Sequence, residues 1–145
     1  MTETEKLKFK IGISGTYWDK QPQWCFLVDQ EIVVGGLAST EIEYVEFECN
    51  LAEGKHVLSI ALVNKTDTDT VENEDKTAIV KDMLLNIESI EIDSIPLEDL
   101  IRTKSEFVGF DSTRPVLKNC VNLGWNGHWN LEFETPFYVW LLENM

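Results

Sequence analysis

Basic side chains are scarce in this sequence: 12 Lys and Arg stand against 26 Asp and Glu, a formal charge of −14 and a sequence pI near 4.4. A field of that sign repels phosphate, whereas nucleic-acid binding draws on clustered Lys and Arg that release counterions. No nucleic acid and no anionic membrane is therefore expected as a partner. Cationic groups, metal ions and neutral sugars stay open. Cysteine is also sparse. Cys25, Cys49 and Cys120 are odd in number, widely spaced, and form no CxxC pair of the kind used for zinc or thiol redox chemistry. They read as free buried thiols. Long apolar runs are missing too: none approaches the roughly 20 residues of a membrane-spanning helix. The opening MTETEKLKFK lacks the apolar stretch of a secretory signal. The expectation is synthesis and folding in a reducing cytoplasm, compatible with later assembly into an exported particle.

Catalytic signals are equally thin. Gly12-Ile13-Ser14-Gly15 lacks the G-x-S-x-G spacing of a nucleophile elbow. His56 and His128 neighbour no recognisable nucleophile, and two carboxylates for glycoside hydrolysis can be drawn from 26 acids by chance. The chain reads as a binding protein, not an enzyme.

What the sequence has is short β-type runs punctuated by turn residues. One domain over 1–145 accounts for the length, with a polar lead at 1–6. Leu7, Phe9, Ile11 and Ile13 alternate with Lys8, Lys10, Gly12 and Ser14, the period that puts one strand face on a core. Trp24, Phe26 and Val28 lead into an Asp29-Gln30 turn and a return arm at 31–34. Residues 42–49 interleave apolar side chains with Glu43, Glu46 and Glu48, an edge-like strand, and an apolar partner follows at 56–63. Residues 84–92 read as another strand with Leu85, Ile87 and Ser89 on one face, and Pro96 opens a helical turn through Leu97, Leu100 and Ile101. Asn126-Gly127 predicts a type I′ hairpin joining 121–125 to 129–133, and 137–142 reads as an apolar final strand. Strands about every 8–12 residues, with little helix, predict an all-β antiparallel β-sandwich of jelly-roll type.

The stretch from Tyr17 to Ile95 resembles the calcium-dependent carbohydrate-binding modules of the xylan-binding type. Those carry F-x-V-D-G-x-x-V before F-x-x-x-L-x-x-G-x-H-x-L-x-I. The counterparts are Phe26-Leu-Val-Asp-Gln-Glu-Ile-Val and Phe47-Glu-Cys-Asn-Leu-Ala-Glu-Gly-Lys-His-Val-Leu-Ser-Ile60. The resemblance implies a β-sandwich, a sugar ligand contacted through Asn64, and a calcium ion held by Asp82 with Asp67, Asp69 or Asp75. Lys65 departs from the pattern, because a cation stands where the family has a ligand carboxylate. The whole chain, in particular 64–77 and Gly124 to Gly127, also resembles small virion-associated proteins of tailed phages.

Two constellations follow. Residues 64–82 form a long acidic loop, longer than ordinary connections, in which carboxylates at alternate positions such as Asp67 and Asp69 can converge on calcium. A solvated acidic loop without an ion is the alternative. Trp18, Trp125 and Trp129 lie near predicted turns, where an indole can stack on a sugar ring; packing in the sandwich core is the alternative. The expected function is a non-catalytic, calcium-dependent carbohydrate-binding module or decoration component of a larger assembly such as a phage particle. Its rival, favoured by Lys65, is a structural virion protein that keeps the fold without a sugar or metal site. Partners are a glycan or virion protein. Self-association or docking is expected through 137–142 or 125–129.

Overall fold

The computed structural model describes residues 4–144. In chain order the strands are β1 (Thr4–Thr16), β2 (Gln23–Val28), β3 (Glu31–Leu37), β4 (Glu43–Ala52), β5 (Gly54–Leu62), β6 (Val71–Glu72), β7 (Ile79–Lys81), β8 (Leu84–Ile92) and β9 (Ile95–Pro96). Then come helix α1 (Glu98–Lys104), β10 (Ser105–Gly109), β11 (Leu117–Lys118), β12 (Asn122–Leu123), β13 (Gly127–Thr135) and helix α2 (Phe137–Asn144). One sheet runs β12-β8-β1-β4 with β9 beside β8; the other runs β11-β10-β13-β5-β2-β3. All their pairings are antiparallel. The predicted β-sandwich stands.

Period-two patterning builds the core between the sheets. Leu7, Phe9, Ile11 and Ile13 of β1 are buried as expected, and face Phe26, Ile60, Leu131 and Phe133 from the other sheet within one cluster. Phe9 links the layers, stacked on Phe47 at 4.8 Å and meeting Phe133 edge-on at 6.1 Å. β4 is an edge strand whose glutamates face water, as its acidic alternation predicts. In β8 the expected phase holds only as far as Ile87. The register to β1 then shifts, Ser89 opposing Gly12 and Ile87 opposing Ile13, so Glu88 is an extra residue and the buried side becomes Ile90 and Ile92. The three cysteines are free and half-buried. Of the polar lead, residues 1–3 lie outside the described ones, and Thr4 to Lys6 already pair with Asn50 to Ala52.

Two expectations need correction. Residues 137–142 belong to a helix, not a strand. Phe137, Trp140 and Leu141 are buried at helical spacing, while Tyr138, Val139 and Leu142 are exposed. The run is apolar all round, and periodicity alone does not separate a buried strand from such a helix. Nor do 121–125 and 129–133 form a hairpin. β12 pairs with β8 in one sheet and β13 with β5 and β10 in the other, so the chain crosses between layers at 124–126.

The Asp29-Gln30 turn does form a tight hairpin, both residues at positive φ (52° and 70°). His56 fastens it. Its Nδ1 lies 2.6 Å from Asp29 Oδ2 and its Nε2 2.6 Å from the Ala52 carbonyl, while Asp29 Oδ1 accepts from the Val57 N–H at 2.9 Å. Acceptors at both ring nitrogens demand the imidazolium. Burial alone would lower the His56 pKa, but the Asp29 carboxylate and Ala52 carbonyl outweigh it and hold the pKa above its ordinary value. A raised folded pKa gives stability that is complete below the unfolded value of about 6.5 and lost as pH rises through the folded value. His128, whose pKa burial lowers, acts in the opposite sense. The difference between wild type and His56→Gln therefore isolates the clamp. Urea midpoints should show that difference shrinking from pH 6 upward by on the order of 0.5 kcal/mol, the scale of a solvent-screened pair. A pH-independent difference would refute the charged clamp.

Candidate functional site

The long acidic segment is folded. Thr66 precedes a 3-10 turn at Asp67–Asp69, and β6 and β7 form a small hairpin with Asp75 in its tip. Two asparagines hold the start of the segment. Asn64 accepts the Gln23 N–H at 2.8 Å and donates to the Gln21 carbonyl at 3.0 Å. Asn126 accepts the Lys65 N–H at 2.8 Å and donates to the Lys65 carbonyl at 2.9 Å. That brace is what Asn126 does in place of turning a hairpin.

Between this segment and residues 110–126 lies an open cleft of about 730 Å³, lined by Lys65, Asp67, Asp82, Phe110, Arg114 and Trp125 among others. Lys65 crosses its floor with only 10% of its side chain exposed. Its Nζ donates to Asp82 Oδ1 at 2.7 Å and to the Gly124 carbonyl at 2.5 Å. Asp82 Oδ1 also accepts from Thr70 Oγ1 at 2.7 Å and its neighbour's amide, Met83, at 2.8 Å. Burial would raise the Asp82 pKa, but these donors, Lys65 foremost, hold it below the ordinary carboxylate value. The pair is ionic.

Asp69 is treated the same way. It is buried, and its Oδ2 accepts the Thr66 N–H at 2.7 Å and lies 3.0 Å from Lys20 Nζ. Burial opposes its charge, and the Thr66 amide and Lys20 prevail, lowering its pKa. Of the other expected metal ligands, Asp67 is exposed at the cleft and Asp75 is exposed in the hairpin tip, outside the cleft lining. No three His, Cys, Asp or Glu side chains gather as a metal-binding group among the described residues. Calcium requires six to eight oxygens. The donors at Asp82 surround an ammonium, so they do not fit a calcium ion.

The aromatic candidates separate. Trp129 is fully buried in the core, which corrects its reading as a ligand contact: it sits inside β13, and no turn presents it. Trp18 is 44% exposed, with Nε1 donating to the Asp69 carbonyl at 2.9 Å and Lys81 4.9 Å above its ring. Trp125 lines the cleft half-buried, stacked on Phe107, with Arg114 4.7 Å from its ring. Asn64 is a brace and does not line the cleft. Phe110, Asp111 and Arg114, which no motif in the sequence singles out, also line the cleft. A second hollow on the outer face of the six-stranded sheet, near Ser59, Glu106 and Asn130, has no Phe, Tyr or Trp in its lining.

No family model matches the chain, and no curated protein matches it. Solved structures do. The carbohydrate-binding module vCBM60 in complex with galactobiose superposes with a TM-score of 0.57 at 12% identity, over 86% of this chain and 96% of that one. The selenomethionine form of vCBM60, described with two families of calcium-dependent carbohydrate binding modules linked by circular permutation, gives 0.60 at 12% identity, over 86% and 89%. The likeness is one of fold.

Proposed function

We propose that this protein is a non-catalytic glycan-binding module whose sugar site is the cleft between 64–82 and 110–126. The observation that carries the reading is the make-up of the cleft. Phe110, 54% exposed, and the half-buried Trp125 stand beside Asp67, Asp111 and Arg114. An aromatic face takes the apolar side of a pyranose, and flanking carboxylates and a guanidinium take its hydroxyls. Galactobiose bound by a module of the same fold supports the ligand class. On the floor, Lys65 keeps one ammonium proton, and Asp82 its Oδ2, without a protein partner among the described residues, a donor and an acceptor for one polyol.

Calorimetric titration with neutral oligosaccharides, galactobiose first, tests this. Phe110→Ala removes an exposed ring and should leave the fold intact while weakening binding about tenfold, or 1.4 kcal/mol. Equal affinities for wild type and variant would reject the cleft; no binding to any neutral glycan would reject the function.

A further inference from the structure

We infer that the Lys65 ammonium is a built-in replacement for a divalent cation, so that the 64–82 segment is held in its folded form without metal. The inference rests on the bonding of Lys65 and not on the glycan reading.

One cation, supplied by the chain itself, sits where oxygens from two separate stretches converge, the Asp82 carboxylate and the Gly124 carbonyl, and the Thr70 hydroxyl donates to that same carboxylate oxygen. Carboxylate and carbonyl oxygens are the ligand types a divalent cation such as calcium uses, but two of them fall well short of the six to eight it takes, and the ammonium needs no more. The lysine is not a surface residue leaning on a carboxylate. Nine-tenths of its side chain is buried, and Asn126 brackets its backbone amide and carbonyl, which fixes where the stem begins. The join matters mechanically: through Lys65, the start of the segment is tied to its end at Asp82 and to the layer crossing at Gly124. A bound ion does the same for loops that lack a covalent or ionic tie. An ammonium does it with one charge instead of two and needs no supply from solution. It also excludes the ion, since a divalent cation within bonding distance of Asp82 would meet Lys65 Nζ at close range.

Thermal melts of wild type and Lys65→Ala, each in millimolar calcium and in chelator, test the replacement. Wild type should melt at the same temperature in both. Lys65→Ala leaves Asp82 without its counterion and should lower Tm by roughly 5 °C or more in chelator, with calcium restoring part of the loss in a saturable way. Lys65→Asp, which adds a carboxylate at the same place, should bind calcium more tightly than Lys65→Ala in titration. A wild-type Tm that rises saturably with calcium would overturn the inference, and so would a Lys65→Ala variant with unchanged Tm and no calcium response. Should the variants fail to fold, the wild type alone decides by nitrogen-15 NMR of its lysine ammonium groups. A slowly exchanging Lys65 signal unmoved by calcium upholds the replacement, and displacement of that signal by calcium refutes it. None of these readouts involves sugar, so a failed glycan titration leaves the outcome distinct.

Discussion

Replacing Trp129 by alanine is expected to cost about 3–5 kcal/mol of folding stability, the range for truncating a fully buried large aromatic. Trp129 is among the largest side chains with no exposed surface, and it lies opposite Ile60 of β5 and Phe107 of β10, in the middle of the six-stranded sheet. Its removal leaves a cavity between three strands that are tied by ladder hydrogen bonds and close on it poorly. Its indole N–H has no protein hydrogen-bond partner among the described residues. Trp129→Phe therefore removes an unsatisfied donor along with some volume, and should cost well under half as much as Trp129→Ala. Urea denaturation gives both numbers, provided the m value stays constant across the series. Similar losses for Phe and Ala would mean that the indole N–H is satisfied, and a loss near zero for Ala would mean that Trp129 is not core. A surface sugar platform would show neither loss.

Trp129 also marks where sequence reading parted from structure. Period-two alternation in β1, β4 and β8 as far as Ile87 was legible because one face of each strand meets the core and the other meets water or a polar edge, whereas the extra residue Glu88 that reverses the phase of β8 leaves no local mark. The Asp29 turn was legible because it is local. His56 was not recognisable as its clamp, since 27 positions separate it from Asp29 and only the β2–β5 pairing brings them together. The motif that carries the family resemblance, Val28-Asp29 with Gly54-Lys55-His56, thus includes a hairpin clamp, which explains why it speaks to fold more than to ligand. The candidate cleft was half legible. Asp67, Asp82 and Trp125 are there, and Lys65 was recognised as a cation out of place, but nothing local indicates that Lys20 neutralises Asp69 across 49 positions or that 110–114 folds against 64–82. The C-terminal helix failed for another reason: a run apolar on every side carries no phase to read.

Gly127 supplies the second large effect. An Asn-Gly pair between apolar runs suggests a turn that needs positive φ, yet Gly127 is not among the residues with positive φ and stands as the first residue of β13. It is glycine for space. In register it lies opposite Gly109 of β10, where a Cβ would fall 2.4 Å from the Val108 carbonyl oxygen, 2.8 Å from the Gly109 Cα and 3.0 Å from the Phe107 ring. Two of those atoms are backbone in a hydrogen-bonded ladder, so neither can rotate away. Gly127→Ala is expected to destabilise by about 3 kcal/mol, the upper part of the range for overpacking, and to loosen β10 from β13. The turn reading predicts otherwise: at a type I′ turn the same change costs about 1 kcal/mol through φ strain alone and leaves the strands paired. Asn126→Ala separates the cases further, because it removes the brace on Lys65 without touching the Gly109 contact, and should leave β10 amides protected. Hydrogen exchange of the Val108 and His128 amides, a pair that bonds across the β10–β13 ladder, decides between them in the two variants. Faster exchange in Gly127→Ala with protection kept in Asn126→Ala supports the close approach of two backbones; unchanged protection in Gly127→Ala refutes it.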